Sequence, residues 1–216
     1  MNVILFGPPG AGKGTQGDKI SKFFNLHKVS TGDLLRSEVK KNTDLGKRIK
    51  LLIDQGSLVS NDIISNLIEN ILNNKKYYNQ LVFDGFPRNI DQGKKLDYLL
   101  KKYGQKISFV FSLNVSKEIV IKRITGRLTC SKCGLIFNKF YKTPENKLHK
   151  CDSKFLEKRT DDNEDTVIKR FETYLEKTSP LINFYKEQKL LHEINATMEI
   201  DQIFEQIRHI MASLET

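Results

Sequence analysis

Residues 7–15, GPPGAGKGT, combine glycines, a lysine and a hydroxyl at the spacing of a loop that wraps a phosphate chain. Glycines let backbone N–H groups converge on anionic oxygens, the helix that follows adds the positive end of its dipole, and the lysine reaches the outer phosphates. Gly10, Ala11, Gly12, Lys13, Gly14 and Thr15 are therefore the candidate contacts for a nucleoside triphosphate. The usual pattern, G-x-x-x-x-G-K-[ST], puts a magnesium-binding hydroxyl directly after the lysine. Here that residue is Gly14. Magnesium must then rest on nucleotide phosphates, water and a carboxylate elsewhere. Asp84, which ends the apolar run LVFD, is the candidate, and a turn or helix cap is the alternative for an aspartate in that position.

Arginine is the second signal, because it is scarce. Among 36 basic residues only Arg36, Arg48, Arg88, Arg123, Arg127, Arg159, Arg170 and Arg208 are arginine. A guanidinium grips phosphate oxygens with a planar fork of donors that a lysine point charge does not reproduce. Arg48 and Arg208 read as ordinary helix-face residues. The formal net charge of +10 raises the question of nucleic acid, yet the lysines are scattered singly or in pairs on polar helix faces, with no aromatic-rich basic tract. Solvated faces are the preferred reading. The four histidines, His27, His149, His192 and His209, lie outside all of these stretches.

Cysteine is the third signal. Three residues, an odd number, exclude a fully paired disulfide framework, and all fall between 130 and 151. CSKC at 130–133 has the form of a metal-binding knuckle, and Cys151 could add a third thiolate to Cys130 and Cys133. Three unmetallated thiols are the alternative.

These residues must be positioned by a scaffold, and the chain of 216 residues, 38% apolar, is long enough for one substantial core with inserts. β-rich runs at 2–6, 28–30, 81–84, 107–114 and 190–196 alternate with helical patterns. That alternation predicts an α/β fold with a doubly wound, five-stranded parallel sheet. Residues 31–73 read as a helical insert and 128–158 as a small irregular or β insert containing Pro144. A long helical pattern over 161–187 is expected to break or kink at Pro180. No stretch approaches 18 uncharged apolar residues and the start lacks a basic leader, so a cytoplasmic protein without a membrane span is expected.

GPPGAGKGT, STGDLLR, LVFDGFPR followed by Gln92, RITGR and KRTDD, in this order from residue 1 to about 196, together resemble the adenylate kinases. The resemblance implies a three-layer P-loop core at 1–29, 60–125 and 164–216, an AMP-binding domain at 30–59 and a lid at 126–163. It implies a monomer that transfers phosphate reversibly from Mg2+-bound ATP to AMP, giving two ADP. The acceptor is already anionic at neutral pH, so positioning and charge neutralisation would suffice without a strong general base.

By matching position, Arg36, Arg88 and Arg170 would hold the AMP phosphate, Arg123 and Arg127 the ATP side, and Arg159 the transferring group beside both nucleotides. Lys13 would follow the moving phosphoryl and Asp84 would face magnesium. Asp161 and Asp162 would orient the arginines, or else supply acidity to a helix start. Thr31, Ser57, Leu58, Val59, Gly85, Phe86 and Pro87 would enclose AMP, with Gln92 reading its adenine edge. Ile136, Phe137 and Met198 would flank the adenine of ATP.

In zinc-bearing lids of bacterial adenylate kinases the fourth ligand follows the third by three residues, and here that position is Lys154, which is unsuitable. His149 or Asp152 would have to complete a Zn2+ site. Otherwise the lid would be held by packing of Leu135, Ile136, Phe137, Phe140 and Tyr141. The remaining alternatives are another nucleoside monophosphate kinase, using GTP as donor or UMP or CMP as acceptor, and a nucleic-acid-associated P-loop protein.

Overall fold

NVILF is apolar at nearly every position because both faces of the strand it forms are covered. In the computed structural model, which describes residues 1–141 and 149–213, side chains alternate from that strand into two separate cores. Ile4 and Phe6 enter one, and Val3 and Leu5 the other. The chain begins β1 (Asn2–Phe6), α1 (Lys13–Phe23), β2 (His27–Ser30), α2 (Thr31–Lys40), α3 (Asp44–Asp54), α4 (Asn61–Leu72) and β3 (Leu81–Asp84). It continues through α5 (Ile90–Lys102), β4 (Ile107–Asn114), α6 (Lys117–Thr125), β5 (Arg127–Cys130), β6 (Ile136–Asn138) and β7 (Leu156–Glu157). The last elements are α7 (Glu164–Thr173), α8 (Pro180–Glu187), β8 (Leu191–Asn195) and α9 (Ile200–Ala212).

Five parallel strands lie in the order β2-β3-β1-β4-β8. All five expected strands are present. The core on one side of the sheet gathers Val29, Leu81 and Phe83 with Ile68 of α4, Leu96 of α5 and Leu181 of α8. On the other side Ile20 of α1 and Ile203 and Ile207 of α9 pack against Val82 and Phe111. Because β1 is central, with the chain passing from β1 to β2 on one side and later from β3 across to β4 on the other, the carboxyl ends of β1, β2 and β3 open onto a shared crevice, the usual ligand position in such sheets.

Two inserts rise beside that crevice. α2 and α3 pack on each other between β2 and α4. A three-stranded antiparallel sheet, β6-β5-β7, lies between α6 and α7, so the segment read as irregular or β is β. Its stretch 142–148, with Pro144, lies outside the described residues. The 161–187 pattern divides into α7 and α8 through a π-helical turn, Tyr174–Thr178. Pro180 occupies the first turn of α8, where its missing N–H leaves no bond unmade. Among the described residues, no helix is long and apolar enough to cross a membrane.

Candidate active site

The phosphate loop runs from the end of β1 to Lys13, the first residue of α1. Gly12 caps that helix at φ 101° with no side-chain acceptor on the first-turn N–H groups. A Cβ on Gly12 would meet nothing within 4 Å, so its exposed side is the approach open to a ligand. Gly10 differs: a Cβ there would lie 2.9 Å from Ile124 Cγ1, which seats the loop directly on α6. Lys13 Nζ spans the loop, donating to Gly7 O at 2.7 Å and Pro8 O at 2.9 Å. Burial lowers its pKa to about 8; neighbouring Asp84 opposes this, while Arg88, Arg170 and Arg127 reinforce it.

Asp84 ends β3 with its carboxylate beside the start of α1. A Cβ on Gly14 would stand 3.6 Å from Asp84 Oδ2. Burial pushes the Asp84 carboxyl pKa up, and Lys13, Lys28 and Arg88 pull it back down. A carboxylate held this way favours a cation beside it.

The loop, Asp84 and the arginines line one cleft of about 600 Å³. Gly10 through Thr15, Thr31, Arg36, Ser57, Leu58, Val59, Gly85, Pro87, Arg88, Gln92, Arg123, Arg127, Ile136, Phe137, Arg159, Arg170 and Met198 all reach it. Phe86 does not. Its ring is fully buried in the core with Phe83 and Leu96, where an apolar ring gains more than it would against a polar ligand. Arg48 is exposed on α3 and Arg208 pairs with Glu205 on α9, as expected of helix-face residues.

Carboxylates aim some of the arginines. Asp162, buried, takes Arg127 in a two-pronged contact that includes Nε at 2.7 Å from Oδ2. Asp161, also buried, accepts from Arg170 at 2.7 Å. Both lie ahead of α7, whose first-turn acids are Glu164 and Asp165, so the arginine-orienting alternative describes their contacts. Arg36 pairs with Asp33. Arg88 and Arg159 form no ion pair among the described residues. Burial and surrounding guanidinium groups lower the pKa of each to about 10, with nearby aspartates opposing. Crowded cations of this kind gain when a polyanion enters.

Arg88 is anchored by Nε, which donates to Gly85 O at 2.7 Å, and by its carbonyl, which accepts from Thr178 Oγ1 at 2.8 Å. Thr31 Oγ1 donates to the same Gly85 O at 2.8 Å. Gln92 is buried, with Oε1 accepting from Arg88 N–H at 2.8 Å and Nε2 donating to Asn61 Oδ1 at 2.8 Å. At the other end of the cleft Arg123 donates to Ala196 O at 2.9 Å, and its guanidinium lies 5.8 Å from the Tyr141 ring centroid. Tyr141, Thr178 and Asn61 carry no sequence signal for these contacts. Thr178 reaches Arg88 only because the π-helical turn presents it there.

Beyond the cleft, Cys130, Cys133, His149 and Cys151 bring three sulfurs and a ring nitrogen within 4.8 Å of one another, a group that could hold one metal ion. Asp152 is not among them: Oδ1 accepts from Lys154 N–H at 2.9 Å and caps a short 3-10 turn. His149 Nε2 is buried without a hydrogen-bond partner, and its ring meets Phe137 edge-on, centroids 4.8 Å apart. Of the residues expected to pack the lid in place of a metal, Phe137 is buried and Ile136 partly so, while Leu135, Phe140 and Tyr141 are exposed.

A family model described as adenylate kinase matches residues 5–190. An adenylate kinase of Pelagibacter ubique is 46% identical over 98% of this chain and 99% of its own length. One from Archaeoglobus fulgidus is 38% identical over 100% of both, and one from Clostridioides difficile 39% identical over 96% of both. With a phosphate loop, a strand-ending aspartate and an arginine-lined cleft between two inserts, the chain belongs to the adenylate kinase family.

Proposed function

We propose that the cleft transfers a phosphoryl group reversibly from Mg2+-bound ATP to AMP, giving two ADP. The observation that carries this is the convergence of Lys13 and six arginines, Arg36, Arg88, Arg123, Arg127, Arg159 and Arg170, on one cleft. One nucleotide does not need so many cations; two polyanions brought end to end do.

In this reading the phosphate loop and Lys13 hold the β and γ phosphates of ATP, and Arg123 and Arg127 close on the donor side. Arg36, Arg88 and Arg170 grip the AMP phosphate, while Arg159 neutralises the group in flight. Thr31, the Ser57–Leu58–Val59 segment, Gly85 and Pro87 wall the AMP site, and Gln92 reads the base. Ile136, Phe137 and Met198 flank the ATP adenine. The acceptor oxygen is already ionised, so no residue need remove a proton. The two inserts, 30–59 and 126–163, act as mobile domains on the core at 1–29, 60–125 and 164–216, and their closure excludes water that would compete for the phosphoryl.

Magnesium would arrive with ATP, and the half-buried Asp84 carboxylate facing Gly14 fits it. Asp84, water and the phosphates would hold the ion, which supplies charge neutralisation; position 14 contributes no ligand. Cys130, Cys133, His149 and Cys151 would hold a structural Zn2+. Soft thiolates with one imidazole are a zinc donor set, and the His149 ring nitrogen that approaches the three sulfurs would be the fourth ligand.

Initial rates across ATP and GTP as donors and AMP, GMP, UMP and CMP as acceptors test the assignment. ATP with AMP is expected to exceed every other pair. Negligible AMP phosphorylation by ATP would end it, and a preferred pyrimidine acceptor would transfer the chain to another branch of nucleoside monophosphate kinases.

A further inference from the structure

We propose that Asn61, together with the Arg88 N–H, sets the purine specificity of the AMP subsite by locking the Gln92 amide in the one orientation that matches adenine. The lock presupposes that Gln92 reads the base, as proposed above. An amide carries an acceptor oxygen and a donor NH2 of nearly equal size, and a half-turn about its last bond exchanges them. Adenine presents a donor amino group at C6 beside an acceptor N1. A 6-oxo purine presents the reverse, an acceptor beside a donor. A freely turning Gln92 would serve both bases.

Four hydrogen bonds remove that freedom, and the series starts and ends on backbone N–H groups, which can only donate. At one end Gln92 N–H donates to Asn89 Oδ1 at 2.8 Å, capping α5. Asn89 therefore turns its NH2 outward, and Nδ2 donates to Asn61 at 3.0 Å. The receiving atom of Asn61 must be its oxygen, so the Gln92 atom 2.8 Å from that oxygen must be the donor Nε2. At the other end Arg88 N–H donates to Gln92 Oε1 at 2.8 Å, which demands the same orientation. A turned amide would set Nε2 against the Arg88 N–H and Oε1 against the Asn61 oxygen, two mispairings around a side chain only 2% exposed.

Each end of the locked amide keeps one unused site. Oε1 retains a second lone pair and Nε2 a second hydrogen, complementary to the adenine amino group and N1. Against a 6-oxo purine the same pair meets acceptor with acceptor and donor with donor. Asn61 does not line the cleft. It begins α4, separated by one residue from the Ser57–Val59 segment, and acts through Gln92 as a positioning residue.

The test is steady-state kinetics with ATP as donor and AMP or inosine monophosphate as acceptor, on the parent, Asn61→Leu, Asn61→Ser, Asn61→Asp and Gln92→Leu. Removing the acceptor oxygen in Asn61→Leu is expected to raise KM for AMP roughly 10-fold with kcat little changed, and to cut the AMP-to-inosine ratio of kcat/KM by about 10-fold. Asn61→Asp keeps an acceptor oxygen and restores both. Asn61→Ser, smaller and polar, repeats the measurement should Asn61→Leu fail to fold. A purely structural role would lower the melting temperature and kcat but leave the base ratio unmoved. An unchanged ratio in Asn61→Leu and Asn61→Ser, with a collapsed ratio in Gln92→Leu, overturns the lock while sparing Gln92 as reader. An unchanged ratio in Gln92→Leu overturns both.

Discussion

Replacing Arg88 by lysine separates charge from geometry at the proposed site of the acceptor phosphate. Arg88 spends Nε on Gly85 O at 2.7 Å, which leaves its two terminal nitrogens as a fork toward the cleft. Lysine retains the positive charge but not the fork, and it loses the Gly85 anchor. One charge-assisted hydrogen bond contributes about 1.5–3 kcal/mol, so kcat/KM for AMP should fall roughly 10- to 150-fold. The anchor is donated by the same charged guanidinium, so losing it costs about 1.5–3 kcal/mol, a shift of roughly 3–12 °C in melting temperature for a chain this long. The assay varies AMP at saturating ATP with ADP as the readout, beside a thermal melt of each protein. KM for ATP should stay within about twofold, because the phosphate loop is untouched. An Arg88→Lys protein that melts normally and keeps kcat/KM for AMP within twofold of the parent would refute the role given to the guanidinium fork.

Lys13, lowered to about 8 by burial, is partly neutral in the free protein at that pH, whereas bound phosphates favour its ammonium form. ATP binding should therefore take up protons at pH 8, take up fewer at pH 7, and weaken as the pH rises above 8. Calorimetry in buffers of different ionisation enthalpy reads this directly, and equal uptake at both pH values contradicts it. Gly12→Ala places a Cβ at φ 101°, a conformation costing roughly 1–2 kcal/mol, on the open side of the loop. Both a lower melting temperature and a raised KM for ATP are expected, and a change in neither would deny the loop its strained glycine. Protein purified without added metal should contain about one zinc per chain by elemental analysis, and Cys151→Ser much less. Zinc missing from both would remove the structural-metal proposal.

The sheet was legible because strands buried on both faces are written as nearly unbroken apolar runs, as in LVFD and ISFVFSLN, with a turn or helix signal at each end. The phosphate loop was legible because its glycines serve backbone geometry, which is local. Contacts between distant segments were not. Nothing in the series from Thr173 to Pro180 marks the π-helical turn that brings Thr178 to Arg88, since a one-residue widening of a helix leaves the apolar spacing almost unaltered. Phe86 was expected beside AMP by matching position alone, yet adjacent residues of an irregular segment face different ways: Gly85 and Pro87 line the cleft while the Phe86 ring enters the core. His149 stood among the alternatives for completing the cysteine group, and only folding of β5, β6 and β7 decides that its ring, not the Asp152 carboxylate, approaches the thiols. Asn61 lies outside every motif, and its contact with Gln92 crosses 31 positions of sequence.

Phosphorus NMR of the protein with equimolar ATP and AMP tests the central claim most directly. ATP and AMP signals should decline together while ADP grows by two for each ATP consumed, and ATP alone should release almost no inorganic phosphate. Loss of ATP with accumulating inorganic phosphate and untouched AMP would contradict the account.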